Sequence, residues 1–141
     1  MAIWAVENPL AEALNHLSQE TMVSHLGIVF TEVGDDYLRA TMPVDSRTVQ
    51  PMRMLHGGAS VALAETLGSV GATLCVDTAR YACVGLEINA NHIRAVRSGL
   101  VVGTARPLHM GRRTHVWQIE IHDEEARLVC VARLTLAVVE H

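Results

Sequence analysis

Lysine is missing from this sequence of 141 residues, and all 11 of its basic residues are arginine. The absence excludes a Schiff-base lysine, a P-loop lysine and a catalytic lysine base. Hydrophobic residues make up 50% of the chain and charged residues 18%, with a formal net charge of -4. These values exclude a disordered chain and argue against nucleic acid as a partner. We expect one compact domain covering residues 1–141.

Cysteine is also scarce. The three cysteines, Cys75, Cys83 and Cys130, lie in apolar runs, are odd in number and form no Cys-x-x-Cys pair. This pattern indicates neither a disulfide framework nor a zinc site, and it predicts buried free thiols. The first ten residues, MAIWAVENPL, do not form a secretory signal, because they lack a basic region and reach Glu7 and Pro9 too early. We expect a cytoplasmic protein.

Acidic residues are missing from one long interval, which lies between Glu87 and Glu120. The basic residues and histidines within it are Arg94, Arg97, Arg106, Arg112, Arg113, His92, His109 and His115. A mildly acidic protein therefore carries a locally basic segment.

Two helices of different character are predicted. Residues 9–22 place apolar side chains at three- and four-residue intervals, which is typical of a short amphipathic helix. Residues 57–76 contain twelve small residues and a single charge, Glu65. That segment is long enough to span a bilayer, but its central Glu65, its four glycines and the absence of a flanking Lys/Arg pattern favour a buried helix.

Strands account for most of the remaining chain. Residues 28–33 and 37–44 flank the turn signal Gly34-Asp35-Asp36 and predict a β-hairpin. Four further strands are predicted at residues 82–93, 100–108, 114–122 and 128–139, as an antiparallel meander. The fold class is therefore α+β, with an antiparallel sheet wrapped around a long central helix.

Glu65 requires an explanation, because a buried carboxylate costs several kcal/mol unless it is paired, hydrogen-bonded or protonated. It either binds a backbone group or an arginine and fixes packing, or acts as a general base or nucleophile. Ser69 lies four residues further on and shares its helix face. The Ser69 hydroxyl could position a water molecule, or the residue could simply pack.

The start of the same helix is the second candidate. His56-Gly57-Gly58 leaves backbone N–H groups without intrahelical partners, which suits a carbonyl oxygen that acquires negative charge. Alternatively, the glycines form a tight turn and His56 caps the helix. Gly57 and Glu65 are about 12 Å apart along one helix, so both can act on one carbonyl only if they come from two subunits of a two-fold dimer.

Three motifs are informative: MPVDSRTVQP, LHGGASVALAE and VGLEINANHIR. On these motifs the sequence resembles hotdog-fold acyl-CoA thioesterases of the phenylacetate-pathway type, and the resemblance covers nearly the whole chain. Within that family it is most similar to bacterial thioesterases that cleave 1,4-dihydroxy-2-naphthoyl-CoA and to those that proofread enterobactin synthesis. The sequence departs from the family pattern at Met52-Arg53-Met54, which places an extra charge near the expected pocket mouth.

The resemblance implies roles for individual residues. Glu65 would activate water or attack the thioester, assisted by Ser69 of the same subunit. Gln50, His56 and Gly57 of the partner subunit would polarise the thioester carbonyl. The positions implied to contact CoA are Gly85, the run His92, Ile93, Arg94 and Ala95, and the run His109, Met110, Gly111, Arg112, Arg113 and Thr114. Arginine forks suit the phosphates of CoA, although Arg112 and Arg113 could also belong to a solvated turn.

The function implied is hydrolysis of an aryl- or hydroxyaryl-CoA thioester by a cytoplasmic homo-oligomer, at least a dimer and expected to be a tetramer built from two dimers. No metal, redox cofactor, nucleic acid or membrane partner is implied. Two alternatives remain at this point: a hotdog dehydratase or hydratase, and a non-catalytic acyl-CoA-binding protein.

Overall fold

The computed structural model describes residues 1–141 as one six-stranded sheet folded against one long helix. The helices are α1 (Ala11–Leu17), α2 (Met22–His25) and α3 (Gly57–Leu74). The strands are β1 (Val29–Val33), β2 (Leu38–Pro43), β3 (Tyr81–His92), β4 (Leu100–Met110), β5 (Thr114–His122) and β6 (Leu128–Glu140). This arrangement confirms the α+β hotdog fold.

The core lies between α3 and the sheet, and small residues on α3 let the two approach closely. A Cβ atom on Gly68 would lie 2.6 Å from Leu134, and one on Gly71 would lie 2.7 Å from Trp117. Both partner side chains are fully buried. Strand β5 alternates buried and half-buried residues along its whole length, as the period of two in its sequence predicts. None of the helices combines the length and the hydropathy that a membrane span requires.

The strand order, β1-β2-β4-β5-β6-β3 with all pairs antiparallel, corrects the predicted meander. Strands β4, β5 and β6 do follow one another, but β3 pairs with β6 at the far edge of the sheet. The segment between β3 and β4 is not a tight turn, because Val96 is buried and its carbonyl accepts the Leu55 N–H. The chain therefore crosses the end of the sheet there.

The predicted helix at residues 9–22 is also shorter than expected. Helix α1 ends at Leu17, and Glu20 adopts a left-handed φ of 59° that stops any continuation. Thr21 then caps α2 through a reciprocal pair of hydrogen bonds with Ser24. The capping signal Thr-x-x-Ser divides the segment into two short helices.

Strand β3 is an open edge. It pairs with β6 on one side only, and its apolar side chains Val84 and Leu86 are 48% and 64% exposed. A β-bulge interrupts its ladder, because Gly85 and Glu87 face consecutive residues of β6 and leave Leu86 without a partner. Such an edge presents free backbone N–H and C=O groups to another strand.

Candidate active site

The loop before α3 holds the beginning of the helix in place. The His56 N–H donates to the Thr48 carbonyl at 2.8 Å, and the Thr48 hydroxyl donates to the Pro43 carbonyl at 2.7 Å. Thr48 is buried, and the Leu55 N–H is bound by Val96. The first turn of α3 is thus anchored to two other parts of the chain.

The helix begins with a capped but accessible terminus. The Gly58 N–H donates to His56 Nδ1 at 2.7 Å, so His56 does cap the helix. Because Nδ1 accepts this bond, a neutral His56 ring carries its proton on Nε2, where it can donate outward. The Gly57 N–H is the first of the helix and has no intrahelical acceptor. A Cβ atom on Gly57 would lie 3.0 Å from His92 Nε2, which places the β3 end beside this N–H.

Gln50 lies in the same loop as His56. Its side-chain oxygen accepts the Met52 N–H, which leaves its amide NH₂ free to donate. The Arg53 N–H closes the turn on the Gln50 carbonyl at 2.8 Å, and Arg53 has a left-handed φ of 63°. The Arg53 side chain is exposed.

Glu65 lies on the flank of α3 that faces β3. Its Oε2 atom would be 2.9 Å from a Cβ on Gly85, and no ion pair of the chain includes Glu65. The expectation of a buried carboxylate is wrong for the single chain, because Glu65 is only half-buried. The reason is that its neighbouring strand, β3, is an edge that nothing in the chain covers. No arginine neutralises it either, which removes one of the two packing explanations.

Ser69 shares the face of Glu65 and lines an apolar groove of about 420 Å³. Helix α3 contributes Val70 and Leu74 to this groove, and Leu14 and Leu17 of α1 form the opposite wall with Phe30. The apolar spacing of residues 9–22 predicts the helix but not the groove beside it, because which apolar side chains stay exposed depends on tertiary packing. In the structure Leu17 is 76% exposed.

The two segments expected to contact CoA lie at opposite ends of the sheet. Residues 92–95 follow the end of β3, whereas residues 109–114 form the β4–β5 turn. The turn lies near the start of β3, because the Val138 N–H donates to the Arg113 carbonyl and Tyr81 pairs with Glu140. Thr114 pairs with Ala137, and Ala137 pairs with Val84, so the turn ends level with Val84 and lies roughly 25 Å along β3 from His92. Within one chain the two segments therefore do not form one compact binding site.

The chain thus contains two half-sites. One holds Gln50, His56 and Gly57 beside His92, and the other holds Glu65 beside Gly85, with Ser69 one helical turn further along α3 at the apolar groove. Arg112 and Arg113 are exposed at the distant turn.

Comparison with known proteins identifies the class. Residues 52–130, more than half of the chain, match the thioesterase superfamily. The chain belongs to the thioesterase superfamily and is a thioester hydrolase.

Close relatives agree with this assignment. The chain is 58% identical over 127 residues to the 1,4-dihydroxy-2-naphthoyl-CoA hydrolase of Escherichia coli, covering 90% of this chain and 93% of that protein. It is 55% identical to the proofreading thioesterase EntH of Cronobacter sakazakii, covering 90% and 92%. A crystal structure of a mutant thioesterase from Pseudomonas aeruginosa superposes with a TM-score of 0.97 at 51% identity, covering 99% of this chain and 100% of the other. The relatives are named as hydrolases and thioesterases, which does not favour a dehydratase or a non-catalytic binding protein.

Proposed function

We propose that this protein is a cytoplasmic acyl-CoA thioesterase that hydrolyses aryl- or hydroxyaryl-CoA thioesters in a composite site of a two-fold dimer. The observation that carries the proposal is the separation of the two half-sites along α3 and β3. Support for the substrate class comes from the relative named as a 1,4-dihydroxy-2-naphthoyl-CoA hydrolase. The proposed chemistry uses water, one carboxylate and N–H donors, so it needs no metal or redox cofactor.

The dimer forms by antiparallel pairing of the two β3 edges. Gly85 and His92 both point to the helix side of the sheet, because the bulge at Leu86 shifts the alternation by one residue. If Gly85 pairs with His92 of the partner subunit and Leu86 is skipped, the two-fold axis passes through Asn89. Gly85 lies beside Glu65, and His92 lies beside Gly57. Pairing Gly85 with the partner's His92 therefore brings Glu65 close to Gly57 of the partner subunit. Two such dimers would associate into a tetramer.

The same pairing brings together the two segments expected to contact CoA, which lie apart within one chain. Beyond Gly85 the partner's residues 93–95 run toward the start of β3, where residues 109–114 of the first chain form their turn. Both basic segments then flank one groove that leads away from Glu65. The anionic end of CoA would meet Arg112 and Arg113 there, and arginine suits phosphate geometry.

The reaction divides between the half-sites. The Gly57 N–H at the positive end of the partner helix binds the carbonyl oxygen as it becomes an oxyanion, assisted by Gln50 and His56. Glu65 either takes a proton from water, whose oxygen attacks the carbonyl carbon, or attacks that carbon itself to form an anhydride that water then hydrolyses. In both routes the C–S bond breaks and CoA leaves as a thiolate that takes up a proton.

The acyl group occupies the apolar groove beside Ser69. The groove begins one helical turn beyond Glu65, and apolar walls suit an aromatic ring system.

The decisive experiment compares Glu65→Gln with the wild type on benzoyl-CoA, followed by release of free thiol. We expect a loss of about 10³-fold in kcat with an unchanged melting temperature. Glu125→Gln, an exposed glutamate in the β5–β6 turn, is the matched control and should keep full activity. Near-normal turnover by Glu65→Gln would contradict the proposed mechanism.

The dimer is tested by cross-linking. Asn89→Cys places two thiols at the proposed axis, within disulfide distance, and should give a covalent dimer on mild oxidation. Asn91→Cys lies two residues along on the same face, far from its own copy, and should stay monomeric on a non-reducing gel. The native thiols do not interfere, because burial raises the pKa of Cys75, Cys83 and Cys130. Equal cross-linking of the two variants would reject this register.

A further inference from the structure

The turn at residues 50–54 carries an arginine that the fold of the single chain does not use. The Gln50 N–H donates to the Met54 carbonyl at 2.9 Å, and the Arg53 N–H donates to the Gln50 carbonyl at 2.8 Å. Arg53 has a left-handed φ of 63°, which glycine adopts freely and arginine rarely adopts. Its side chain is exposed and forms no ion pair and no cation–π contact. The turn therefore holds an unpaired guanidinium in a backbone conformation that does not favour it.

This turn lies just past the end of β3. The Leu55 N–H donates to the Val96 carbonyl at 2.8 Å, and Arg97 Nη1 donates to the Met52 carbonyl at 3.3 Å. In the proposed dimer the two β3 strands run antiparallel, so residues past the end of one strand lie beside the start of the other. The turn of one subunit is thereby placed near the start of the partner's β3.

The same turn lies near the apolar groove of the partner subunit. Glu65 faces Gly57 of the partner subunit, so the two α3 helices also run antiparallel. Ser69 lies about 6 Å beyond Glu65 along its helix, on the side toward the chain that precedes the partner's Gly57. Residues 50–54 of one subunit are therefore at the mouth of the groove that begins at Ser69 of the other.

The groove and the turn complement each other chemically. None of the side chains that line the groove of about 420 Å³ is charged. Met52, which is 69% exposed in the single chain, would extend the apolar wall, and Arg53 would add a cation at the mouth. An apolar pocket that ends in a guanidinium suits an aromatic ring with a carboxylate at its far end, because arginine binds carboxylates through two parallel N–H bonds.

We propose that Arg53 is a specificity-determining residue that selects aryl thioesters with an anionic substituent on the ring, opposite the thioester. The inference rests on the proposed function and narrows its substrate class to acyl groups such as carboxyaryl groups. A para substituent on a benzoyl group extends about one helical turn from the carbonyl carbon, which matches the step from Glu65 to Ser69. Arg53 acts on the acyl end of the substrate, so it changes neither attack by Glu65 nor the binding of CoA.

The test compares 4-carboxybenzoyl-CoA with 4-methylbenzoyl-CoA, which differ mainly in the charge of the acyl group. Arg53→Asn removes the cation, and asparagine tolerates the left-handed backbone, so the turn and the melting temperature should be preserved. The wild type should prefer the carboxylated thioester. The variant should lower kcat/KM for that substrate about tenfold and leave kcat/KM for the methylated one unchanged. Arg53→Lys keeps a cation and should restore much of the preference.

Two controls separate this role from a general effect of charge. Arg133→Gln, which removes an exposed arginine on β6, should leave both kcat/KM values unchanged. Added salt should weaken the preference of the wild type but not that of Arg53→Asn, because salt screens exposed charge pairs.

The possible failures are distinguishable. If the wild type hydrolyses neither thioester, the proposed function fails and this inference fails with it. If both are hydrolysed and their ratio does not change in Arg53→Asn, the inference alone is overturned. An equal loss on both thioesters would place Arg53 on the shared CoA portion and would overturn it as well.

Discussion

The two flanks of α3 differ in how completely residues of the same chain cover them. The sheet-facing flank is complete, because Gly68 and Gly71 lie against the fully buried Leu134 and Trp117. The flank facing β3 is incomplete, because Gly57 and Glu65 remain half-buried beside an open strand edge. The core therefore needs one chain, whereas the proposed chemistry needs two.

Gly57→Pro should give the largest effect on the incomplete flank. Proline is favoured at the first helical position, and His56 already has the extended φ and ψ of -68° and 132° that proline requires before it. The variant should fold normally but lack the oxyanion N–H, so kcat on benzoyl-CoA should fall about 10²- to 10³-fold.

Gly57→Ala is the matched control for that variant. It keeps the N–H and places the same Cβ atom against His92, so it should retain most of the activity. If both variants lost activity equally, crowding at His92 and not the missing N–H would be the cause.

Mixing two inactive variants tests whether the flank is completed by a partner. Glu65→Ala and Gly57→Pro, allowed to exchange subunits, should regain about a quarter of wild-type activity, because half of random dimers are mixed and each has one intact site of two. The measurement is thiol release before and after exchange at constant total protein. Failure to recover, with exchange verified by mass, would place both residues in a single-chain site.

Gly71→Val should act on the complete flank through stability alone. The added side chain meets Trp117, which cannot move because it is fully buried, so unfolding should become easier by about 3 kcal/mol. Denaturant unfolding at fixed protein concentration measures the loss. Thr73→Val, exposed on the same helix, should change stability by less than about 0.5 kcal/mol. A comparable loss in both variants would show that the close approach at Gly71 is unimportant.

The sequence predicts the sheet-facing flank of α3 well, but it predicts the position of the edge strand β3 poorly. The small residues of α3 and the alternation along β5 are local patterns, and both the helix and the strand were predicted nearly to their ends. The position of β3 is not local, because nothing within residues 82–93 says whether the strand pairs with β4 or β6. The break at Glu20 was signalled by Thr21 and Ser24, but the apolar spacing across it suggested one helix.

For the candidate active site, the spacing of residues along the sequence was more informative than their expected burial. The separation of Gly57 and Glu65 follows from helix geometry alone and predicts two subunits. The burial of Glu65 could not be predicted, because it depends on a surface that the single chain does not provide.

The bulge at Leu86 makes the length of β3 part of the site. Deleting that one residue would restore regular pleating and send either Gly85 or His92 to the outer surface, although no catalytic group would be lost. An insertion between Gly85 and His92 would have the same effect. Within this strand, a change of one residue in length should therefore be more damaging than most changes of side chain.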